Sequence, residues 1–316
     1  MSASPLTATI DTAERTQSPA HRDSVLSVDC DGDALVALLS EPAITASSSD
    51  TGVLLIVGGP QYRVGAHRQF TLLARALAAS GTPCLRLDYR GMGDAEGAMR
   101  DFADVDADVA AAIDAWQRER PQLRRVVLWG LCDAASAALL YVHRRRDPRV
   151  AGLCLANPWV RTEASLARAQ VKHYYLGRLR QPAFWRKLLS GRVGLSALRE
   201  LLGKLALARS ARAGSDGAPG DRQDTRQDTR HYTEQMADGL RGFAGPVLLM
   251  LSGDDVVAKE FLDRCRDGGP AWQGLLSRPG LRRADLAAAD HTFSTADWRA
   301  QVERLTADFV RDARPA

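Results

Sequence analysis

The feature that most restricts this chain is an alternation of short aliphatic runs with longer segments of helical spacing. Residues 53–57 form a continuous β-rich run, as do 83–88, 126–129, 150–156, 246–251 and, less purely, 281–288. Runs that are apolar along their whole length suit strands covered on both faces. Between them, residues 70–80, 101–118, 133–145, 257–266 and 295–311 read as helices. Acidic residues open the second of these, where the helix dipole favours them. The alternation predicts an α/β fold with a mostly parallel central sheet and helices on both faces. Ahead of it, residues 24–30 and 34–40 are joined by Asp31-Gly32-Asp33, which predicts an antiparallel hairpin.

The chain has 316 residues, 45% hydrophobic and 25% charged, enough for a globular core and too well mixed for wholesale disorder. No run approaches the roughly 20 apolar residues of a membrane span. The net charge of +4 is too small to point to nucleic acid as a partner. Cys30, Cys84, Cys132, Cys154 and Cys265 are scattered, with neither disulfide nor metal-ligand spacing, so no metal or other cofactor is expected. Residues 1–23 lack periodicity and the apolar core of a secretory signal, and read as a loose tail on a cytoplasmic protein.

The alternation stops between residues 157 and 245, so a core in two pieces, 24–156 and 246–316, is expected around a helical cap. Within residues 160–212 twelve Arg and Lys stand against two acids, Glu163 and Glu200. The cap is therefore strongly basic and the remainder net acidic. Residues 213–230 carry almost no apolar side chains; they cannot offset the entropy of ordering and are expected to be disordered.

The chemistry concentrates at strand ends. Gly130-Leu131-Cys132-Asp133-Ala134 follows the run at 126–129 and opens a small-residue helix. That layout suits a nucleophile elbow, a sharp turn at the carboxyl end of a strand with small neighbours two residues either side. Cys132 then faces the helix N-terminus, which favours a thiolate, and the Asp133 N–H becomes an oxyanion donor. The plainer alternative is a buried structural cysteine. Ser252-Gly253-Asp254-Asp255 follows the run at 246–251, where an acid that orients a histidine would sit; either Asp fits, and one should cap the next helix. Asp290-His291-Thr292-Phe293 precedes the last helix. The order Cys, Asp, His is that of nucleophile, acid and base in one known arrangement. His21, His67, His143, His173 and His231 read as surface or packed residues. Gly58-Gly59-Pro60 should supply the second oxyanion donor; Pro60 has no N–H, which leaves Gly59, with Gln61 in reserve. Asp88-Tyr89-Arg90-Gly91-Met92-Gly93-Asp94 is Gly-rich but lacks a dinucleotide fingerprint.

Taken together, Gly58-Gly59-Pro60-Gln61-Tyr62-Arg63, residues 88–94, residues 130–136 and Asp290-His291-Thr292-Phe293-Ser294 resemble the α/β-hydrolase superfamily. Asn157-Pro158-Trp159-Val160-Arg161 and Lys172-His173-Tyr174-Tyr175-Leu176 resemble the first of the hydrolases associated with the exosortase A system, which accompany bacterial exopolysaccharide production. The resemblance implies an α/β-hydrolase fold with a cap insertion and a Cys132–Asp255–His291 triad. Ala134, where glycine is commoner, and the low-complexity segment 213–230 depart from the pattern.

The chemistry expected is hydrolysis of an acyl ester or thioester through a covalent Cys132 intermediate, with Gly59 and Asp133 holding the oxyanion. Acyl transfer to a hydroxyl would use the same residues. A hydrolase-fold scaffold that binds a partner through its cap is the alternative from another class. The basic cap suggests an anionic or lipid-linked acyl substrate, or peripheral contact with the inner membrane; a solvated helix face is the other reading. Gln61, Arg178, Arg180, Arg186 and Lys187 are the expected substrate-binding residues.

Overall fold

The computed structural model describes residues 20–43, 49–59, 61–161, 228 and 230–313. Most of the basic segment, with Arg178, Arg180, Arg186 and Lys187, lies outside these residues, as does nearly all of 213–230. The described strands are β1 (His21–Cys30), β2 (Asp33–Pro42), β3 (Thr51–Ile56), β4 (Cys84–Asp88), β5 (Arg125–Leu131), β6 (Val150–Ala156), β7 (Val247–Asp254) and β8 (Leu281–Asp290). The helices are α1 (Gln69–Ala79), α2 (Asp106–Glu119), α3 (Asp133–Arg145), α4 (Tyr232–Gly242), α5 (Val256–Asp267) and α6 (Ala296–Asp312).

All eight strands join one sheet in the order β1-β2-β4-β3-β5-β6-β7-β8. Every pairing from β4 to β8 is parallel, and β2 alone runs against the rest. The β1–β2 turn places Asp31 at φ 56° and Gly32 at φ 91°, the left-handed pair that matches the twist of a tight hairpin. Because β1 starts at His21, residues 21–23 belong to the sheet rather than to the expected tail.

The central strands are buried on both sides, and alternate residues serve two separate cores. Leu54, Ile56, Leu128 and Leu155 face α2, α3 and α4. Val53, Leu55, Trp129 and Ala156 face α1 and α6. Helix α4, expected within the cap, belongs to the first core. Met236, Ala237 and Leu240 are buried, and Gly239 lets the helix approach α3 so closely that a Cβ there would stand 2.3 Å from the Leu139 carbonyl oxygen. Residues 157–161 also lie on the core, with Asn157 and Val160 buried.

Two buried ion pairs fix the loops at the carboxyl end of β4. Asp108 of α2 accepts from Arg90 Nε at 3.0 Å, Nη2 at 3.0 Å and the backbone N–H at 2.9 Å, while Arg90 Nη1 reaches Asp31 at 3.0 Å. Asp88 accepts from the Arg63 N–H at 2.6 Å and also pairs with the Arg63 guanidinium. Gly93 is required because Asp88 Oδ2 lies 2.2 Å from where its Cβ would be. The Gly-rich stretch 88–94 is thus a turn wound on a buried aspartate. Asp108→Ala should strand the buried Arg90 charge and cost about 3–5 kcal/mol, read as a lower urea midpoint with an unchanged m-value.

Candidate active site

Strand β5 hands directly into α3 through Cys132, whose backbone is at φ 63° and ψ −124°. A non-glycine residue there is strained, and the surroundings hold it in place. Gly130 is in contact with the first turn of α3: a Cβ would lie 2.4 Å from the Ala134 carbonyl. Ala134 is itself fully buried, so its methyl is accommodated and the indispensable small residue is Gly130. The Cys132 N–H donates to the Ala156 carbonyl at 2.9 Å, and the Cys132 carbonyl accepts from the Trp159 N–H at 3.2 Å. Of the five cysteines, Cys132 is partly exposed and the other four are buried. Burial pushes the thiol of Cys30 up to about 11 and that of Cys265 up to about 12, and raises Cys84 and Cys154 as well.

The structure brings His291 and Asp255 to this elbow. His291 Nδ1 lies 2.8 Å from Asp255 Oδ2. The hydrogen bond to Asp255 first, and then the nearness of Cys132, push the imidazole up to about 10. Asp255 is buried. Burial alone would raise its carboxyl, but the bonds from His291 and from the Val257 and Ala258 N–H groups outweigh this and hold it below the ordinary range. Those two N–H contacts, at 3.0 and 3.3 Å, make Asp255 the N-cap of α5. One residue therefore does both jobs that the sequence divided between neighbours, and Asp254 ends β7 exposed.

The expected oxyanion donors meet in a way the sequence did not indicate. The Gly59 N–H donates to Asp133 Oδ2 at 2.7 Å, so the carboxylate sits on the very group expected to hold an oxyanion. Asp133 Oδ1 is buried without a hydrogen-bond partner and lies 2.1 Å from where a Gly58 Cβ would be. Desolvation raises the carboxyl, against the backbone hydrogen bonds that favour its charge. The reserve donor is also engaged: the Gln61 N–H donates to the Gly59 carbonyl at 2.8 Å, and Gln61 Oε1 accepts from the Ala66 N–H at 3.1 Å. Gln61 lines an open cleft of about 440 Å³ with Tyr62, Met92, Asp94 and Met99. Beyond β6, Arg161 stacks over Trp159 and pairs with Glu260, and the Tyr232 hydroxyl donates to the Arg161 carbonyl. This first cation of the basic segment is thereby neutralised by the core.

Asn157 and Ser252 escaped the sequence reading. Asn157 is fully buried and links the ends of β6 and β7 to the backbone of His291. The only signal was an Asn-Pro pair at the end of a strand, which reads as a turn.

The sequence profile of the family described as Serine aminopeptidase, S33, matches residues 51–263. The chain belongs to this family and is a hydrolase of the α/β-hydrolase superfamily. Its fold is similar to that of the esterase Pf2001 of Pyrococcus furiosus, with a TM-score of 0.58 at 13% identity over 92% of each chain. It is also similar to Est1E of Butyrivibrio proteoclasticus, solved with ferulic acid bound, with a TM-score of 0.56 at 14% identity over 91% of this chain and 98% of that one. A thermophilic esterase from Thermogutta terrifontis gives 0.53 at 16% identity over 93% and 100%. At these identities the likeness is one of fold. No curated protein matches the chain by sequence.

The double duty of Asp255 allows a clean test. Asparagine caps helices as well as aspartate, so Asp255→Asn should keep α5 while losing the tautomer control of His291. Turnover should fall by about 10³–10⁴-fold, the melting temperature should also drop near neutral pH, where the parent still holds most of the Asp255–His291 stabilisation, and Asp254→Asn should be nearly silent. The raised His291 value contributes stability that is fully present below its unfolded value of 6.5 and lost as pH rises through about 10. Thermal melts of the parent should therefore weaken over that range more than those of Asp255→Asn.

Proposed function

We propose that the protein is an acyl-ester or thioester hydrolase that works through a covalent Cys132 intermediate. The observation that carries this reading is the Asp255–His291 hydrogen bond beside a strained elbow that carries Cys132. His291 as imidazolium stands beside a Cys132 thiolate; the thiolate attacks the acyl carbon, and the proton on His291 goes to the leaving group. The neutral imidazole then takes a proton from water, which attacks the acyl-enzyme and releases the acid with Cys132 as leaving group. The Asp133 N–H at the start of α3 holds the oxyanion, joined by the Gly59 N–H once the Asp133 carboxyl turns away. The esterases among the structural neighbours and membership of the S33 family favour hydrolysis of an ester over acyl transfer, which the same residues would support.

The resemblance of residues 157–161 and 172–176 to exosortase-associated hydrolases supports a role beside exopolysaccharide production. The surplus of cations in residues 160–212 supports an anionic or lipid-linked acyl donor, held by Arg178, Arg180, Arg186 and Lys187, or peripheral contact of the cap with an anionic leaflet. No described helix is long and apolar enough to cross a membrane.

Labelling, turnover and salt dependence test this reading. Brief iodoacetamide treatment followed by peptide mass spectrometry should label Cys132 first, and a panel of p-nitrophenyl and acyl-CoA esters should be turned over by the parent and not by Cys132→Ala. Labelling of another cysteine in the native protein would remove Cys132 from the role. Asp133→Ala keeps the backbone donor and frees Gly59, so it should hydrolyse a small neutral ester at or above the parent rate; a loss of more than about tenfold would mean that the carboxyl itself is required. Raising salt to about 0.5 M, where screening acts within a few ångströms, should raise KM for an acyl-CoA and leave a neutral ester unchanged. Neutralising Arg178, Arg180, Arg186 and Lys187 together should do the same.

A further inference from the structure

The stretch 156–159 follows β6, carries no group of the proposed chemistry, and yet holds both ends of it. Its backbone grips the nucleophile: the Ala156 carbonyl accepts from the Cys132 N–H at 2.9 Å, and the Trp159 N–H donates to the Cys132 carbonyl at 3.2 Å. The Trp159 carbonyl in turn accepts from the Ser136 hydroxyl of α3 at 2.6 Å. The side chain of Asn157 grips the base. Its Nδ2 donates to the His291 carbonyl at 3.2 Å and to Ser252 Oγ at 2.9 Å, and its Oδ1 accepts from the Ser252 N–H at 2.8 Å. The Ser252 hydroxyl donates to the Asp290 carbonyl at 2.8 Å.

This network admits one orientation. The Ser252 N–H can only donate, so it fixes Oδ1, and Nδ2 must then face the His291 carbonyl. Both amide donors and the acceptor are used, in full burial, where a half-made network would be costly. The backbone is committed as well: Asn157 sits at φ 44°, a region that asparagine tolerates better than most residues, and its N–H donates to the Met250 carbonyl at 3.0 Å. The His291 ring is set by Asp255, but the ring cannot be placed unless the peptide that carries it is placed.

We infer that the segment 156–159 is a jig that sets the Cys132–His291 separation, with Asn157 as a positioning residue that acts through the His291 backbone. The inference rests on the Cys132–His291 reading proposed above. The titratable groups around the pair are Asp255 from the start of α5, Asp133 from α3 and Tyr232 from α4; none of them is touched by Asn157 in the structure's hydrogen bonds, so its substitution leaves their charges in place.

The test is the pH profile of iodoacetamide labelling at Cys132, with kcat and KM for a p-nitrophenyl ester, in the full chain. Asn157→Gly keeps the left-handed backbone and deletes the side chain; Asn157→Asp keeps the shape and sets an acceptor against the His291 carbonyl; Ser252→Ala removes the bridging hydroxyl. His291→Ala is the reference. In the parent, labelling should stay fast near pH 6, because an imidazolium stabilises the thiolate. His291→Ala should lose that rate and regain it only under alkaline conditions. Asn157→Gly and Asn157→Asp should show the same pattern, about tenfold slower than the parent near pH 6, with kcat down by about a hundredfold, as expected for a reacting group displaced by about an ångström, and KM little changed. Ser252→Ala, the mildest change, should move the same way and decides the matter if the Asn157 variants do not fold. If His291→Ala shifts the profile but folded Asn157→Gly and Ser252→Ala keep the parent profile and kcat, the segment is merely structural and the inference falls. If His291→Ala itself leaves the profile unchanged, the Cys132–His291 pair falls, and the inference with it.

Discussion

Everything at the site depends on how closely α3 can approach the end of β5. The strand delivers Cys132 straight into the helix without an intervening loop, and this forces the cysteine to φ 63°. The approach is permitted by Gly130, where any Cβ would strike the backbone of Ala134. It is held by packing, since residues 134–142 of α3 are all buried. The strain at one residue, on the order of 1–3 kcal/mol, is thus outweighed by the burial of a whole helix. In return, the Cys132 side chain is lifted out of the sheet at the positive end of α3.

The same closeness explains the Asp133 carboxylate. A helix start with free N–H groups attracts an anion, and among the described residues the anion found there comes from the chain itself. Gly58 and Gly59 are shaped around it, with Asp133 Oδ1 in the space of a Gly58 Cβ and Oδ2 on the Gly59 N–H. The contact ties the loop after β3 to the nucleophile. In the chemistry proposed above, a developing oxyanion would have to compete with that carboxylate for the Gly59 N–H. Burial raises that carboxyl, which eases the competition, because a protonated carboxyl accepts a hydrogen bond less strongly than a charged one.

Much of the scaffold was legible because the sheet is buried on both faces. Fully apolar strands such as β3 and β6 announce themselves, and the sequence bounds of α3 and β6 coincide with the observed ones. Helix α4 was missed although Tyr232, Met236 and Leu240 recur at helical spacing, because it adjoins a low-complexity stretch that drew the boundary too late. At the site, the order of Cys132, Asp255 and His291 could be read because each follows a strand. The carboxylate on Gly59 and the amide on the His291 carbonyl could not. They join residues 74 and 134 positions apart, and nothing local in either partner marks the contact. Asp255 as both cap and orienter was half visible: a cap was expected in that turn, but propensity does not say which of two adjacent aspartates turns inward.

The family description names a serine enzyme, whereas Cys132 stands at the elbow here, and the electrostatics of the site bear on that difference. Asp255 holds His291 so firmly that the imidazole is pushed up to about 10. A histidine protonated at neutral pH is a poor base for an alcohol, whose proton it would have to accept before attack. It is a good partner for a thiol, because a thiolate is already the nucleophile and an adjacent imidazolium stabilises it. That rise in His291 comes first from Asp255. A thiol beside a histidine held so firmly by Asp255 therefore suits the chemistry proposed above better than an alcohol would.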